Sequence, residues 1–365
     1  TCNEALPKEQ KDLGLEIKQS NLCSEITLPT NEERTAVCCL SSVNLEHFDK
    51  WSKDEMFISD LITMLDNILQ HFIDNAVDTS QLGEYNANYK RFKNYVREGK
   101  EGFTKATYSA YRERSIGLGA MGFHSYLQNK GIPFEGLFAT SFNYRAFKHI
   151  KDYSIRASKR LAELRGEAPD VANSGMRNAH LLAIAPNASS SIICGGTSPS
   201  IEPFRANTYT HKTLSGSYQV KNKYLDKVLR SKGLKGEELE KVWKDISANN
   251  GSVQHLEILD EKEKELFKTA NEINQIWIIE HAYKRQEFVC QSQSVNLFFT
   301  LPKATEEQDI HDDYMQYVND VHWYGMNRLK SLYYFRSDAA RAAENVNIKV
   351  PRIKLDEVEC ISCEG

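Results

Sequence analysis

From about Trp51 to Asp78, apolar side chains return at Phe57, Leu61, Ile62, Leu65, Ile68, Leu69 and Phe72. That spacing gathers them on one side of a helix and predicts an amphipathic helix over this stretch. Such a helix folds only if its apolar stripe is buried against another element. Comparable patterns in "SFNYRAFKHIKDYSIRASKRLAEL", "EKELFKTANEINQIWIIEHAYKR" and "DDYMQYVNDVHWYGMNRLKSL" predict further helices, whereas "AHLLAIAP" and "SLYYF" are short apolar runs that fit buried strands. Helices alternating with short buried strands imply an α/β architecture.

At 365 residues, 41% apolar and 26% charged, the chain is long enough for one large core or two ordinary ones. A formal net charge of -4, drawn from both signs, provides no basic stripe and argues against a nucleic-acid surface. Small molecules or proteins are the expected partners. The cysteines, Cys2, Cys23, Cys38, Cys39, Cys194, Cys290, Cys360 and Cys363, lack the dense spacing of a secreted disulfide scaffold, so free thiols in a reducing cytoplasm are expected. No run approaches the roughly 20 apolar residues of a membrane span, and "TCNEALPKEQKDLGLE" does not have the order of a signal peptide. Residues 1–335 read as the folded body. Residues 336–365, which lose periodicity in "RSDAARAAENVNIKVPRIKLDEVECISCEG", read as a flexible tail.

Several short stretches could carry chemistry. In "QSNLCSEITLPT" the residues Asn21, Cys23 and Glu25 alternate, so an extended segment would project an amide, a thiol and a carboxylate to one face. "GLGAMG", Gly117 to Gly122, fits G-x-G-x-x-G, but the polar "YRERS" precedes it and no acidic residue closes a second strand. Close strand-to-helix packing is the expected use of its glycines. The run Pro186, Asn187, Ala188, Ser189, Ser190 follows a predicted strand, where it is either a phosphate cradle of small hydroxyls and backbone N–H groups or an ordinary Ser-rich helix cap. Tyr333 and Tyr334 are either core aromatics of a buried strand or two stacked phenols able to pass an electron and a proton. Cys360 and Cys363 in "CISC" have no third and fourth metal ligand beside them, and read as a dithiol exchange pair. The apolar flanks of "AVCCLSSVNL" suggest a buried strand, on which alternation lets only one of Cys38 and Cys39 share a cavity with Cys23.

Taken together these stretches resemble the large, catalytic subunit of class I ribonucleotide reductase. "SNLCSEI" is similar to its finger loop, "AVCCLSSVNL" to its redox-cysteine strand, "APNASSS…SIEP" to its substrate-phosphate segment, "SLYYF" to its tyrosine pair and "CISC" to its C-terminal shuttle. All occur in the family's order, and the likeness extends through "NTYTHKTLSG" and "VCQSQSVNLF".

The resemblance implies an α/β fold, the C-terminal half of a ten-stranded barrel with a finger loop and additional helices. It implies that Cys23 becomes a thiyl radical that removes the ribose 3′ hydrogen, that Glu25 is the base on the 3′ hydroxyl, and that Asn21 hydrogen-bonds the substrate near the departing 2′ oxygen. Leu22 and Ser24 of the same loop, with Pro186 to Ser190, would complete the substrate contacts. Cys38 is implied as the reducing cysteine, with Cys39 the alternative. Tyr333 and Tyr334 are implied to carry a radical from a separate, metal-containing small subunit, since the chain shows no metal-ligand cluster and no cofactor of its own. Cys360 and Cys363 would re-reduce the disulfide and be reduced by thioredoxin or glutaredoxin.

The implied substrate is a ribonucleoside diphosphate. A family large subunit is about twice as long, so a complementary N-terminal half, carrying the regulatory segments and the second redox cysteine, is an expected partner of a split subunit or fragment. The competing expectation is a non-catalytic assembly subunit or remnant of the same fold.

Overall fold

The apolar stripe of the first long helix decides where the core lies. A computed structural model of the chain describes residues 2–77, 89–93, 103–213, 216–300 and 308–337; Cys360, Cys363 and the rest of the expected tail beyond residue 337 lie outside them. Helix α1 (Phe57–Ala76) buries Ile58, Ile62, Leu65, Leu69 and Ile73, while Ile68, expected in the stripe, is exposed. The buried set repeats at four and three residues, so one straight face is covered and the neighbouring row turns to water. Against this face pack α2 (Thr104–Glu113) and α4 (Leu137–Arg165), with the short α3 (Phe123–Asn129) between them in sequence. The order continues through α5 (Ala188–Ile193), α6 (Lys223–Ser231), α7 (Gly236–Ala248), α8 (Gln275–Gln286) and α9 (Gln308–Met326).

The helix expected across "EKELFKTANEINQIWIIEHAYKR" is broken. Glu261–Leu266 ends one turn, and α8 starts only at Gln275. Between them Glu272 accepts from the N–H and hydroxyl of Thr269, and Asn274 caps α8 through the N–H of Ile276. These local bonds satisfy backbone and side-chain donors in a non-helical path that apolar periodicity does not register.

Five extended segments run side by side beneath the helices. Strand β1 (Cys39–Asn44) pairs in parallel with β2 (Ile116–Met121). The N–H groups of Ile116 and Leu118 on β2 donate to the carbonyls of His180 and Leu181 in "AHLLAIAP". That stretch joins the next through a parallel bridge between Ile184 and Gln293. Beyond it β5 (Leu297–Phe299) pairs in parallel with β6 (Phe335–Ser337), which takes in two residues beyond the expected body. Parallel neighbours linked by helical crossovers are the construction of an α/β barrel. β1 is only half-buried, with Leu40 exposed and Val43 its one buried residue, contrary to the buried strand expected there. The reason is that β1 covers one face with helices and leaves the other open.

The glycines of "GLGAMG" lie within β2 rather than in a turn after it. A Cβ on Gly117 would lie 2.4 Å from Leu40 Cδ2, and one on Gly119 would lie 2.5 Å from the Ala183 carbonyl oxygen. They therefore serve strand-to-strand approach; only Gly122 stands at a strand-to-helix junction, ahead of α3. A second, smaller core gathers around Trp243 from α6, α7 and residues 253–267, beside a hairpin of β3 (Thr208–Thr213) and β4 (Gly216–Lys221). No helix among the described residues is long and apolar enough to cross a membrane. Gly119→Ala is expected to cost about 1–3 kcal/mol, because a backbone carbonyl has to give way. Chemical denaturation measures it, and wild-type stability in the variant would contradict the close approach.

Candidate active site

The segment bearing Asn21, Cys23 and Glu25 is a tight loop and not an extended strand. Ser24 adopts a left-handed backbone with φ 65°, its N–H donates to the Asn21 carbonyl at 3.1 Å, and the N–H of Ile26 donates to Asn21 Oδ1 at 3.0 Å. The expected alternation fails at Ser24, where the chain reverses. Leu22 at the tip is 71% exposed, Cys23 is half-buried, and Glu25 is only 3% exposed.

Three serines hold the loop. The Ser294 hydroxyl lies within hydrogen-bonding reach of the Cys23 carbonyl and, at 3.1 Å, of Glu25 Oε2. The N–H of Ser292 donates to the Glu25 carbonyl at 2.9 Å, and the Ser331 hydroxyl to the Ser24 carbonyl at 2.9 Å. The loop thus occupies the edge of the 291–299 segment just before β6 begins. At about 1 kcal/mol per net hydrogen bond, these contacts are enough to fix a loop tip in one place.

From this loop the Cys23 thiol reaches across to Tyr333, Sγ to Oη 3.4 Å. Tyr333 and Tyr334 stack with ring centroids 3.9 Å apart and planes tilted 34°. Burial, with hydrogen bonds to Cys23 and Tyr334, pushes the Tyr333 phenol pKa well up, so its proton stays on oxygen. The N–H of Tyr333 donates to the Val295 carbonyl, and that of Tyr334 to Asn296 Oδ1. "SLYYF" is not a buried strand: it enters β6 only at Phe335, and Tyr334 is 45% exposed. A thiol, an inner phenol and a surface phenol therefore form one contact series.

The open face of β1 carries the remaining candidates. A Cβ on Gly117 would meet Cys38 Sγ at 3.2 Å as well as Leu40, and one on Gly119 would meet Ser42 Oγ at 3.2 Å. Cys38, Leu40 and Ser42 thus share that face. Asn187 Nδ2 donates to Ser42 Oγ at 2.9 Å, which places the Pro186–Ser190 run over the same side, with Asn187 left-handed at φ 54° ahead of α5. Cys39 packs instead with the helices. Burial raises the pKa of both thiols, most for Cys38, although Gln291 Nε2 donates to its sulfur at 3.4 Å. Among the described residues no group of three or more His, Cys, Asp or Glu could hold a metal ion.

Sequence reasoning missed the supports. Ser292, Ser294, Ser331, Gln291 and Asn296 are ordinary polar residues whose partners lie far away in the chain, and only the buried polar run "QSQS" hinted at them.

The last residue of α2 is a fully buried acid. Glu113 is bonded by the hydroxyls of Ser109 at 2.7 Å and Ser115 at 3.1 Å, and Ser115 also meets His180 Nδ1 at 3.0 Å. Burial raises the Glu113 pKa to about 7, and the charge of Asp170 adds to the rise. A carboxyl whose folded pKa lies above its unfolded one stabilises the fold at low pH and loses that contribution as pH climbs. Between pH about 4.5 and about 7 the loss is on the order of 3 kcal/mol. Glu113→Gln is expected to flatten this part of the stability curve in denaturation series across pH; an unchanged curve would contradict the buried-acid assignment.

Comparison with known proteins identifies the family and the fold. The family model "Ribonucleotide reductase, barrel domain" matches residues 1–170 and 168–335. The ribonucleoside-diphosphate reductase large subunit of Invertebrate iridescent virus 3 is 45% identical over 369 aligned positions, covering 100% of this chain and 53% of that protein. A putative large subunit from Frog virus 3 is 41% identical, over 100% of the chain and 58% of its own length. Among solved structures, the Actinobacillus ureae class Id ribonucleotide reductase alpha subunit superposes with TM-score 0.75 at 36% identity, covering 92% of this chain and 56% of that one. The chain spans about half the length of these relatives.

Proposed function

This chain belongs to the ribonucleotide reductase barrel family, and from that membership we propose that it forms the C-terminal part of the catalytic site of a class I ribonucleoside-diphosphate reductase. The observation that carries the reading is the contact series from Cys23 through Tyr333 to Tyr334. Transfer of a hydrogen atom between a phenol and a thiol requires that they touch, and here the two groups are in hydrogen-bond contact.

In the proposed reaction an oxidant on a metal-containing small subunit takes an electron from Tyr334, whose phenolic proton is lost at the exposed surface. Tyr334 then takes a hydrogen atom from Tyr333, and Tyr333 takes one from the Cys23 thiol. The resulting thiyl removes the ribose 3′ hydrogen, re-forming S–H and leaving a carbon radical. Glu25 accepts the 3′ hydroxyl proton. Asn21 binds substrate through its side-chain amide, which the Ile26 N–H orients by donating to Oδ1. The C2′–O bond breaks and the oxygen departs as water. Two thiols, Cys38 and one from an N-terminal half, supply two electrons and two protons and become a disulfide, one proton leaving with the 2′ oxygen and one hydrogen going to C2′. Glu25 returns its proton to the 3′ oxygen, and Cys23 then returns its hydrogen to C3′ and regains the radical from the substrate.

The Pro186–Ser190 run is proposed to hold the diphosphate, with helix N–H groups and serine hydroxyls as donors. Position on the open strand face favours Cys38 over Cys39 for the redox role. Cys360 and Cys363 are proposed to reduce that disulfide by exchange and to pass electrons from thioredoxin or glutaredoxin. The proposed setting is the cytoplasm.

Reduction of a ribonucleoside diphosphate by this chain, an N-terminal half, the small subunit and a dithiol reductant tests the reading. Cys23→Ser is expected to abolish turnover. With thioredoxin as reductant, Cys38→Ser is expected to stop multiple turnover while Cys39→Ser stays close to wild type. Activity in Cys23→Ser would overturn the proposal, and a reversed cysteine pattern would move the redox role to Cys39.

A further inference from the structure

Glu202 follows the proposed phosphate segment in "SIEP", yet its carboxylate is turned toward the tyrosines. It is 3% exposed, and its Oε1 accepts from Asn296 Nδ2. The other end of the same amide, Asn296 Oδ1, accepts the N–H of Tyr334 at 3.2 Å. Arg205 lies 3.9 Å from Glu202 Oε2, and Arg336 sits over the Tyr334 ring, Cζ 5.0 Å from its centroid.

An asparagine amide has two ends of similar shape and opposite hydrogen-bonding sense. If Asn296 turned over, its NH2 group would face the Tyr334 N–H, donor against donor. An acceptor at Glu202 selects the orientation that keeps the carbonyl on Tyr334. Leu297 N–H closes the other side by donating to the Tyr334 carbonyl at 2.9 Å. Tyr334 is thus held by backbone at a place where its ring is half in water.

We propose that Glu202 is a positioning residue for radical transfer: acting through Asn296, it fixes the Tyr334 backbone and with it the stacking of Tyr334 on Tyr333. The assignment rests on the radical route proposed above. It separates Glu202 from the neighbouring phosphate run, because a residue that shapes the nucleotide site acts on KM whereas one that holds the relay acts on kcat.

The test compares Glu202→Ala, Glu202→Gln and Asn296→Ala. In the chain alone, amide hydrogen exchange at Tyr334 is expected to quicken about tenfold in Glu202→Ala and Asn296→Ala, the equivalent of one buried hydrogen bond, and to stay near wild type in Glu202→Gln, whose amide oxygen still accepts. In the assembled enzyme kcat is expected to fall about tenfold in both alanine variants with KM for the nucleotide unchanged, and to be largely retained in Glu202→Gln. Should Glu202→Ala not fold, Asn296→Ala decides. Unchanged Tyr334 exchange in Asn296→Ala, or a raised KM with intact kcat in Glu202→Ala, overturns the positioning role. Turnover surviving in Tyr333→Phe would instead sink the radical route, whatever the exchange data show.

Discussion

Everything else in the site depends on the contact between a thiol and a phenol 310 residues apart in the chain, Cys23 and Tyr333 at 3.4 Å. Neither residue comes from the middle of a regular element. Cys23 rides a turn, and Tyr333 sits two residues ahead of β6. Such a contact persists only if both backbones are fixed independently, and the 291–299 segment does this for both. Its serines hold the finger loop, while Val295 and Asn296 take the N–H groups of the tyrosines. One extended segment therefore sets the separation between the thiol and the phenol.

The same economy of space governs β1 and β2. β1 and β2 approach closely because Gly117 and Gly119 add no side chain, and the room left above them is filled by Cys38, Leu40 and Ser42. Burial raises the pKa of the thiol in that position, which keeps it protonated and fits the redox role proposed for it. Asn187, reaching from the turn before α5 to Ser42, ties the proposed phosphate run to this strand.

Much of this was legible in the sequence, and the failures have physical causes. Helical periodicity located α1 and α4 because their apolar faces bury long stripes, and it misplaced Ile68 and joined two helices across Thr269–Asn274, where side-chain caps override the pattern. The candidate residues Asn21, Cys23, Glu25, Cys38 and the tyrosine pair are singled out by the resemblance of their motifs, in order, to those of a known family rather than by residue chemistry alone. Their geometry could not be read in this way: alternation along "NLCSE" presumes an extended backbone, and a left-handed Ser24 removes it. Cys38 lies on the side of Leu40 and Ser42, while Cys39, the first residue of β1, packs on the other. The supporting serines and Asn296 were hidden because hydrogen bonds across the fold leave no periodic trace.

A direct measurement of the route is to place 3-aminotyrosine, which is more readily oxidised than tyrosine, at position 333 and follow the assembled enzyme with substrate by rapid-freeze electron paramagnetic resonance. If the radical passes through the Cys23–Tyr333–Tyr334 contact, an aminotyrosyl signal grows at position 333 as the small-subunit radical decays, and with Phe at position 334 it does not form. Deoxynucleotide production with no radical trapped at position 333, or trapping that persists with Phe at 334, would contradict it.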